Sequence, residues 1–280
     1  QISSDFGFSV GANITTYKNE VVKIPDPGYF DVPFSSSLIG SLVRNQEGHP
    51  VGSFFGYQVL GLFRDADDVA KSPAQTDAAP GRFKYQDVNG DGQVTPDDRT
   101  FIGNPNPKFT YGLNLSFNYK KFDVSAIFYG SQGNDVLNMT HYYTDFYSTS
   151  NGGLAKSNVV KDAWTPQNLD AKVPVLEFSG SFSSNGAFNS YDKEDGSFLK
   201  MRSLIIGYTF DPGILRKIRV SKFRLYLQGA NLFTITKYSG LDPELGGLLS
   251  GSQSSSAFGV DFANYPNNQR SFLVGVNVTF

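Results

Sequence analysis

The run Phe109–Tyr119 constrains this chain more than any other feature. Its odd positions, Phe109, Tyr111, Leu113, Leu115, Phe117 and Tyr119, are apolar or aromatic, while Thr110, Gly112, Asn114, Ser116 and Asn118 between them are not. Side chains alternate across a strand, so this run makes one long strand with a greasy face and a polar face. After Lys120-Lys121 the alternation resumes at Phe122, Val124, Ala126 and Phe128, which predicts a tight hairpin. The chain closes on the same pattern, with Phe272, Val274, Val276, Val278 and Phe280 on one parity. Weaker strand patterns cover 6–17, 52–63, 198–210 and 222–232, giving seven runs. In 198–210 both parities of Leu204-Ile205-Ile206 are apolar, which leaves the facing of that strand open. No long stretch keeps a helical apolar period, and the 29 Gly together with Ser, Asn and Asp between the runs read as turns. The expected fold class is all-β.

Connection lengths then choose among β architectures. The links 64–108, 131–197 and 233–270 are long and polar, whereas 120–121 and 211–221 are short. Loops above about 15 residues without structure are uncommon in compact soluble domains. Outer-membrane barrels, by contrast, alternate long extracellular loops with short periplasmic turns, on strands of roughly 9–11 residues. Aromatics at strand ends (Phe109, Tyr119, Tyr208, Phe210, Phe272, Phe280) suit two interfacial girdles. A final strand alternating to a terminal aromatic is similar to the assembly signal of such barrels, carried here by Phe272, Val274, Val276, Val278 and Phe280. The expectation is a transmembrane β-barrel, with about seven or eight antiparallel strands in this chain. With Phe280 in the periplasm, 64–108, 131–197 and 233–270 fall outside the cell. Single-chain bacterial barrels have even strand numbers, so an odd tally implies a piece of a longer chain. A soluble β-sandwich serving as adhesin or glycan-binding module shares the same alternation and is the alternative.

Composition removes other functions. There is no Cys, so no disulfide, thiolate or Cys-based metal site, and the only His are His49 and His141. Lys plus Arg number 24 against 26 Asp plus Glu, without the basic excess of a nucleic-acid binder. No apolar run reaches the length of a transmembrane helix. No phosphate loop, Gly-x-Ser-x-Gly elbow or metalloprotease helix occurs, and the adjacent pairs Asp67-Asp68 and Asp97-Asp98 read as solvated carboxylates. No enzyme is expected.

One metal motif stands out. Asp87, Asn89 and Asp91, then Gly92, Gln93 and Asp98, match the oxygen-ligand spacing of a calcium loop, with Asp in place of the usual final Glu. Val94 would anchor the loop inward, and Asp97 could substitute for Asp98. Eight Asp and three basic residues between positions 65 and 98 add to the demand for a cation. The expected cofactor is structural calcium, against the alternative of a metal-free Asx turn. The aromatics Tyr142, Tyr143, Phe146 and Tyr147 are candidate loop contacts to a partner or to substrate.

Several motifs together resemble the SusC/RagA family of TonB-linked outer-membrane transporters. They are Gly52-Ser-Phe-Phe-Gly-Tyr57, Asp87-Val-Asn-Gly-Asp-Gly-Gln-Val94, Ile102-Gly-Asn-Pro-Asn-Pro-Lys-Phe109, Ala163-Trp-Thr-Pro-Gln-Asn168, Ser197-Phe-Leu-Lys-Met-Arg-Ser203 and Leu204-Ile-Ile-Gly-Tyr-Thr-Phe210. The most specific is Asn231-Leu-Phe-Thr-Ile-Thr-Lys-Tyr-Ser-Gly-Leu-Asp-Pro-Glu244, followed by Tyr265-Pro-Asn-Asn-Gln-Arg270. The resemblance implies that the chain is the C-terminal portion, about seven or eight antiparallel strands, of a large 22-stranded transmembrane β-barrel whose remaining strands and plug precede it, with contact to the TonB complex through that plug. It also implies a SusD-like surface lipoprotein as lid, outer-membrane lipid around the wall, and import of glycan oligosaccharides or peptides. A siderophore-type receptor is the alternative within the class.

Overall fold

The computed structural model describes residues 5–32, 40–146, 156–211, 213, 219–245, 258–262 and 268–280. Its main element is a sheet of seven strands. These are β1 (Phe6–Thr15), β2 (Phe109–Tyr119), β3 (Phe122–Gln132), β4 (Phe198–Thr209), β5 (Lys222–Ala230), β6 (Thr234–Thr236) and β7 (Ser271–Thr279). The spatial order is β1-β2-β3-β4-β5-β7, all antiparallel, with the short β6 pairing the start of β4. The sheet does not close on itself.

The register lines up one side-chain type per face. Phe8, Phe117, Val124, Ile206, Leu227 and Val274 form one row across all six long strands, and Phe6, Tyr119, Phe122, Tyr208, Leu225 and Val276 form the next. Rows of the opposite face carry Ser9, Ser116, Ser125 and Gln228, or Asn118, Asp123 and Tyr226. A one-residue slip would exchange the faces, so the alternation itself fixes this register. The open facing of 198–210 is settled by the same rows: Leu204 and Ile206 lie on the apolar face and Ile205 on the other. A bulge lies beyond them, since Ile127 faces Ser203 while Phe128 faces Met201, leaving Arg202 as the extra residue. At two strand glycines a ring from the neighbouring strand covers the gap. A Cβ on Gly130 would lie 2.2 Å from Tyr111 Cζ, and one on Gly275 would lie 2.3 Å from Tyr226 Cζ.

The tally of seven strands thus holds with one change of membership. The run 52–63 is not a strand of this sheet. It breaks into Phe54–Gly56, in a four-stranded sheet with Tyr29–Val32, Val43–Gln46 and Thr100–Gly103, and Val59–Leu62, which pairs Phe83–Tyr85. Consecutive Phe54 and Phe55 are both buried, so the run has no polar face to turn outward. Gly56 approaches its neighbour closely; a Cβ there would lie 2.7 Å from the Phe188 carbonyl oxygen.

Connections 16–108, 133–197 and 231–270 therefore all leave the same end of the sheet, and they are not structureless. Together they build a folded layer with its own cores. One core joins Leu42, Val43, Phe54, Ile102, Leu137, Met139, Tyr142, Phe188 and Val260. The other joins Tyr57, Phe83, Tyr85, Val94 and Phe146. A three-stranded sheet, Lys193–Asp195, Asp135–Asn138 and Val260–Asp261, draws on two of the connections. The opposite end of the main sheet carries the short links, the start of β1 and the end of β7.

Candidate functional site: the polar face and the loop layer

On the polar face, charge is held in pairs across strands. Arg224 on β5 donates from Nε to Asp123 Oδ1 at 2.9 Å and from a terminal nitrogen to Oδ2 at 2.5 Å. The pair crosses over Gly207, where a Cβ would lie 2.4 Å from the guanidinium. Nearer the loop layer, Lys200 is fully buried and donates to Asp242 Oδ1 at 3.1 Å and Glu244 Oε2 at 2.8 Å. Arg202, displaced by the bulge, pairs with the other Glu244 oxygen and lies over the Tyr129 ring at 5.1 Å. Four charges thus fasten the Leu241-Asp-Pro-Glu244 turn to the wall.

Two clefts are open, one where the sheet meets the loop layer and one inside that layer. One, of about 250 Å³, is lined by Tyr17, Thr110, Tyr129, Phe198, Glu244 and Phe258 among others. The second, of about 520 Å³, lies within the loop layer among His141, Thr144, Asp145, Tyr191, Glu194 and Ser239. Burial and the nearby Asp145 and Glu194 push the Asp192 carboxyl well above the carboxylate range, and its Oδ1 has no hydrogen-bond partner. Tyr191 donates to Asp145 at 3.0 Å, and burial raises its phenol. Elsewhere in the layer the Lys84 ammonium, 2.8 Å away, holds the Asp68 carboxyl below the usual range.

The calcium-loop residues take up the turns that the motif requires. Asp87 accepts from the Gly90 and Gly92 amides at 2.7 and 2.8 Å, Asn89 from Asp91 N, and Asp91 from Gln93 N. Gly90 and Gly92 have φ of 75° and 84°, conformations open to glycine at little cost. Val94 packs into the second core as expected. Asp98 departs from the ligand reading: it is fully buried and accepts from the amides of Val88, Asn89 and Thr95. Burial pushes this carboxyl up, but those amides outweigh it and hold it below the usual range. Among the described residues no three His, Asp or Glu side chains converge as a metal site.

The loop aromatics divide. Tyr142 and Phe146 are buried in the two cores, which corrects their assignment as contact residues: their rings fill the loop layer and present no free face. Tyr143 is exposed, and Tyr147 lies outside the described residues. Phe272, Val274, Val276 and Val278 sit on the apolar face of β7, and Phe280 beyond its end is 89% exposed. The charge cluster at Lys200 was missed in the sequence. Its signal was a lysine and an arginine inside an otherwise apolar strand, with an Asp-Pro-Glu turn about 40 residues on.

Comparison with known proteins places this arrangement. No family model matches the chain. It is 32% identical over 285 residues to TonB-dependent receptor P3 of Formosa agariphila, covering 99% of this chain and 27% of that protein. It is 27% identical to TonB-dependent receptor SusC of Bacteroides thetaiotaomicron, covering 100% of this chain and 25% of that protein. The structure of the RagAB peptide transporter matches all of the chain, and 28% of its own, at a TM-score of 0.75 and 23% identity. The 'closed-closed' state of the RagAB peptide importer matches all of it at 0.74 and 22%. The chain therefore spans about a quarter of the length of these relatives, which are receptors and transporters, not enzymes. Its two-faced antiparallel sheet and loop layer share the fold of part of the RagAB peptide transporter, and the chain is similar over nearly all of its length to TonB-dependent receptors, SusC among them.

Proposed function

We propose that this segment is wall and loop layer of an integral outer-membrane importer of peptides or glycan oligosaccharides, driven through TonB and lidded by a SusD-like lipoprotein. The observation that carries it is the pairing of an exposed apolar face with a polar face that ends in a folded layer. A β-sandwich would bury the face that here leaves Phe272 and Val274 each 71% exposed. In this reading the apolar rows face lipid and the rows of Asn118, Ser116 and Gln228 face the lumen. The long connections lie outside the cell, and the two clefts meet incoming substrate. Support for the partner and for these substrates comes from the likeness to SusC and to the RagAB peptide transporter. The test is uptake of labelled oligopeptides and oligosaccharides by cells making the full-length receptor, with and without TonB and the neighbouring lipoprotein. TonB-dependent uptake of either class that needs the lipoprotein supports the reading. Uptake of ferric siderophores alone overturns it in favour of the siderophore-type receptor.

We propose that the 87–98 loop holds calcium through Asp87, Asn89, Asp91 and the Gln93 carbonyl, with the buried Asp98 bracing the loop through its amide hydrogen bonds. Support comes from the all-oxygen donor set and the two glycine turns, which suit a hard cation. Differential scanning of the full-length receptor in calcium and in chelator tests it: a higher melting temperature in calcium supports the site, and identical curves reject it.

A further inference from the structure

The larger cleft, about 520 Å³ inside the loop layer, has spent most of its hydrogen-bond donors on its own acceptors. Tyr191 donates to Asp145 Oδ2 at 3.0 Å and Thr144 to Oδ1 at 2.9 Å. Asn138 Nδ2 and Ser239 Oγ donate to Glu194 Oε1 at 2.8 and 2.7 Å, and Ser239 N donates to Oε2 at 2.7 Å. Thr140 Oγ1 donates to Asn138 Oδ1. Each carboxylate oxygen has two lone pairs, so Asp145 and Glu194 keep acceptor capacity after these bonds. The charges are as one-sided as the hydrogen bonds. No lysine or arginine lines the cleft, and among the described residues none is ion-paired with Asp145, Asp192 or Glu194. Lys156 feels Asp145 from a distance, but its ammonium is given to the Tyr143 and Phe146 carbonyls at 2.9 and 2.6 Å. Two buried atoms have no hydrogen-bond partner: Nδ1 of His141, in the lining, and Oδ1 of Asp192, a residue 5% exposed and within electrostatic reach of both lining carboxylates.

We infer that this cleft binds a primary ammonium group of the imported solute: an amino terminus, a lysine side chain or an amino sugar. An ammonium carries three donors and no acceptor, which complements a lining whose own donors are used. A neutral hydroxyl both donates and accepts, so it meets only half of what the lining offers. An anionic group would face Asp145 and Glu194 as like charges. The two carboxylates are already fixed by the bonds above, so little ordering remains when the solute arrives. Bonds between an ammonium and a carboxylate are also about twice as strong as neutral ones. The inference rests on reading the loop layer as the solute-facing side of an importer, and it narrows that reading to amine-bearing solutes.

The full-length receptor, purified in mild detergent, is titrated by calorimetry with two matched pairs. One is trilysine amide and its fully N-acetylated form; the other is the glucosamine trimer and the N-acetylglucosamine trimer. The free amine of at least one pair is expected to bind about tenfold more tightly than its acetylated partner, and the pair that shows it identifies the source of the ammonium. In Asp145→Asn/Glu194→Gln that advantage disappears. Val159→Lys, at a 40% exposed position of the lining, supplies a competing ammonium from the wall and also removes the advantage, which decides the matter should the double variant not fold. Equal affinity within both pairs overturns the site, as does an advantage that persists in the folded double variant or in Val159→Lys. Uptake is assayed in parallel. A receptor that imports only ferric siderophores yet discriminates amines loses the import reading and keeps the cleft. One that imports peptides or oligosaccharides without discriminating amines keeps the import reading and loses the cleft.

Discussion

Replacing Lys200 by Met tests whether the buried charge cluster holds the 241–244 turn to the barrel wall. Lys200 has no exposure and Asp242 is 3% exposed, so the substitution leaves a buried carboxylate without its cation. Breaking a buried pair from one side costs about 3–5 kcal/mol. Met fills much of the lysine volume, and Asp242 keeps the hydrogen bond from Glu244 N at 3.0 Å, which places the loss near the lower figure, ~3 kcal/mol. If that loss is local, amide exchange in 238–245 accelerates on the order of a hundredfold, since ~1.4 kcal/mol is tenfold. Adding Asp242→Asn removes the stranded charge and should recover roughly 2 kcal/mol, a coupling expected of contacting residues. The assay is hydrogen exchange by mass spectrometry on the full-length receptor in detergent, with β5 and β7 as internal controls. Exchange within threefold of the parent in the single variant would refute the reasoning, as would strict additivity of the pair.

Other outcomes follow from burial and charge. Asp192 has a raised folded pKa, so its ionisation opposes folding as pH rises above the ordinary carboxylate value. Asp192→Asn is therefore expected to raise the melting temperature at pH 8 and leave it unchanged near pH 4; a uniform shift at both would contradict this. Asp68 has the opposite sign. Its pair with Lys84 contributes above the ordinary carboxylate pKa and is lost as pH falls through the depressed folded value, so Lys84→Met flattens the acid limb of the stability profile. Tyr142→Ala empties a core position and costs about 3–5 kcal/mol, whereas Tyr143→Ala, at an exposed site, changes stability by less than about 0.5 kcal/mol. Denaturant unfolding monitored on the loop layer separates these two; equal effects would mean that the core assignment is wrong.

Much of the wall was legible because a strand's period is short and local. The alternation in Phe109–Tyr119 and Ser271–Thr279 states both strand and face, and pairing across six strands adds nothing contradictory. The run 52–63 misled for a physical reason: in a layer built from loops both faces of a strand are buried, so Phe54 and Phe55 lose the polar partner positions that distinguish a barrel strand. The motifs that carried the family resemblance proved to be largely packing devices. Gly56 admits the Phe188 backbone, and Asn106 donates to the Val51 carbonyl at 2.8 Å. The Lys200 cluster was illegible because its partners join across a connection whose path no local pattern encodes.

The central claim is that the sheet is a membrane wall with lipid on one face and water on the other. The segment contains no cysteine, so single cysteines along β2 can be introduced without background from these 280 residues. The most direct measurement is reaction of the full-length receptor, in native membranes, with a water-soluble maleimide at each position from 113 to 118. Labelling at Asn114, Ser116 and Asn118 but not at Leu113, Leu115 and Phe117 is the predicted result. Uniform labelling of all six positions, or the inverse alternation, would contradict the account.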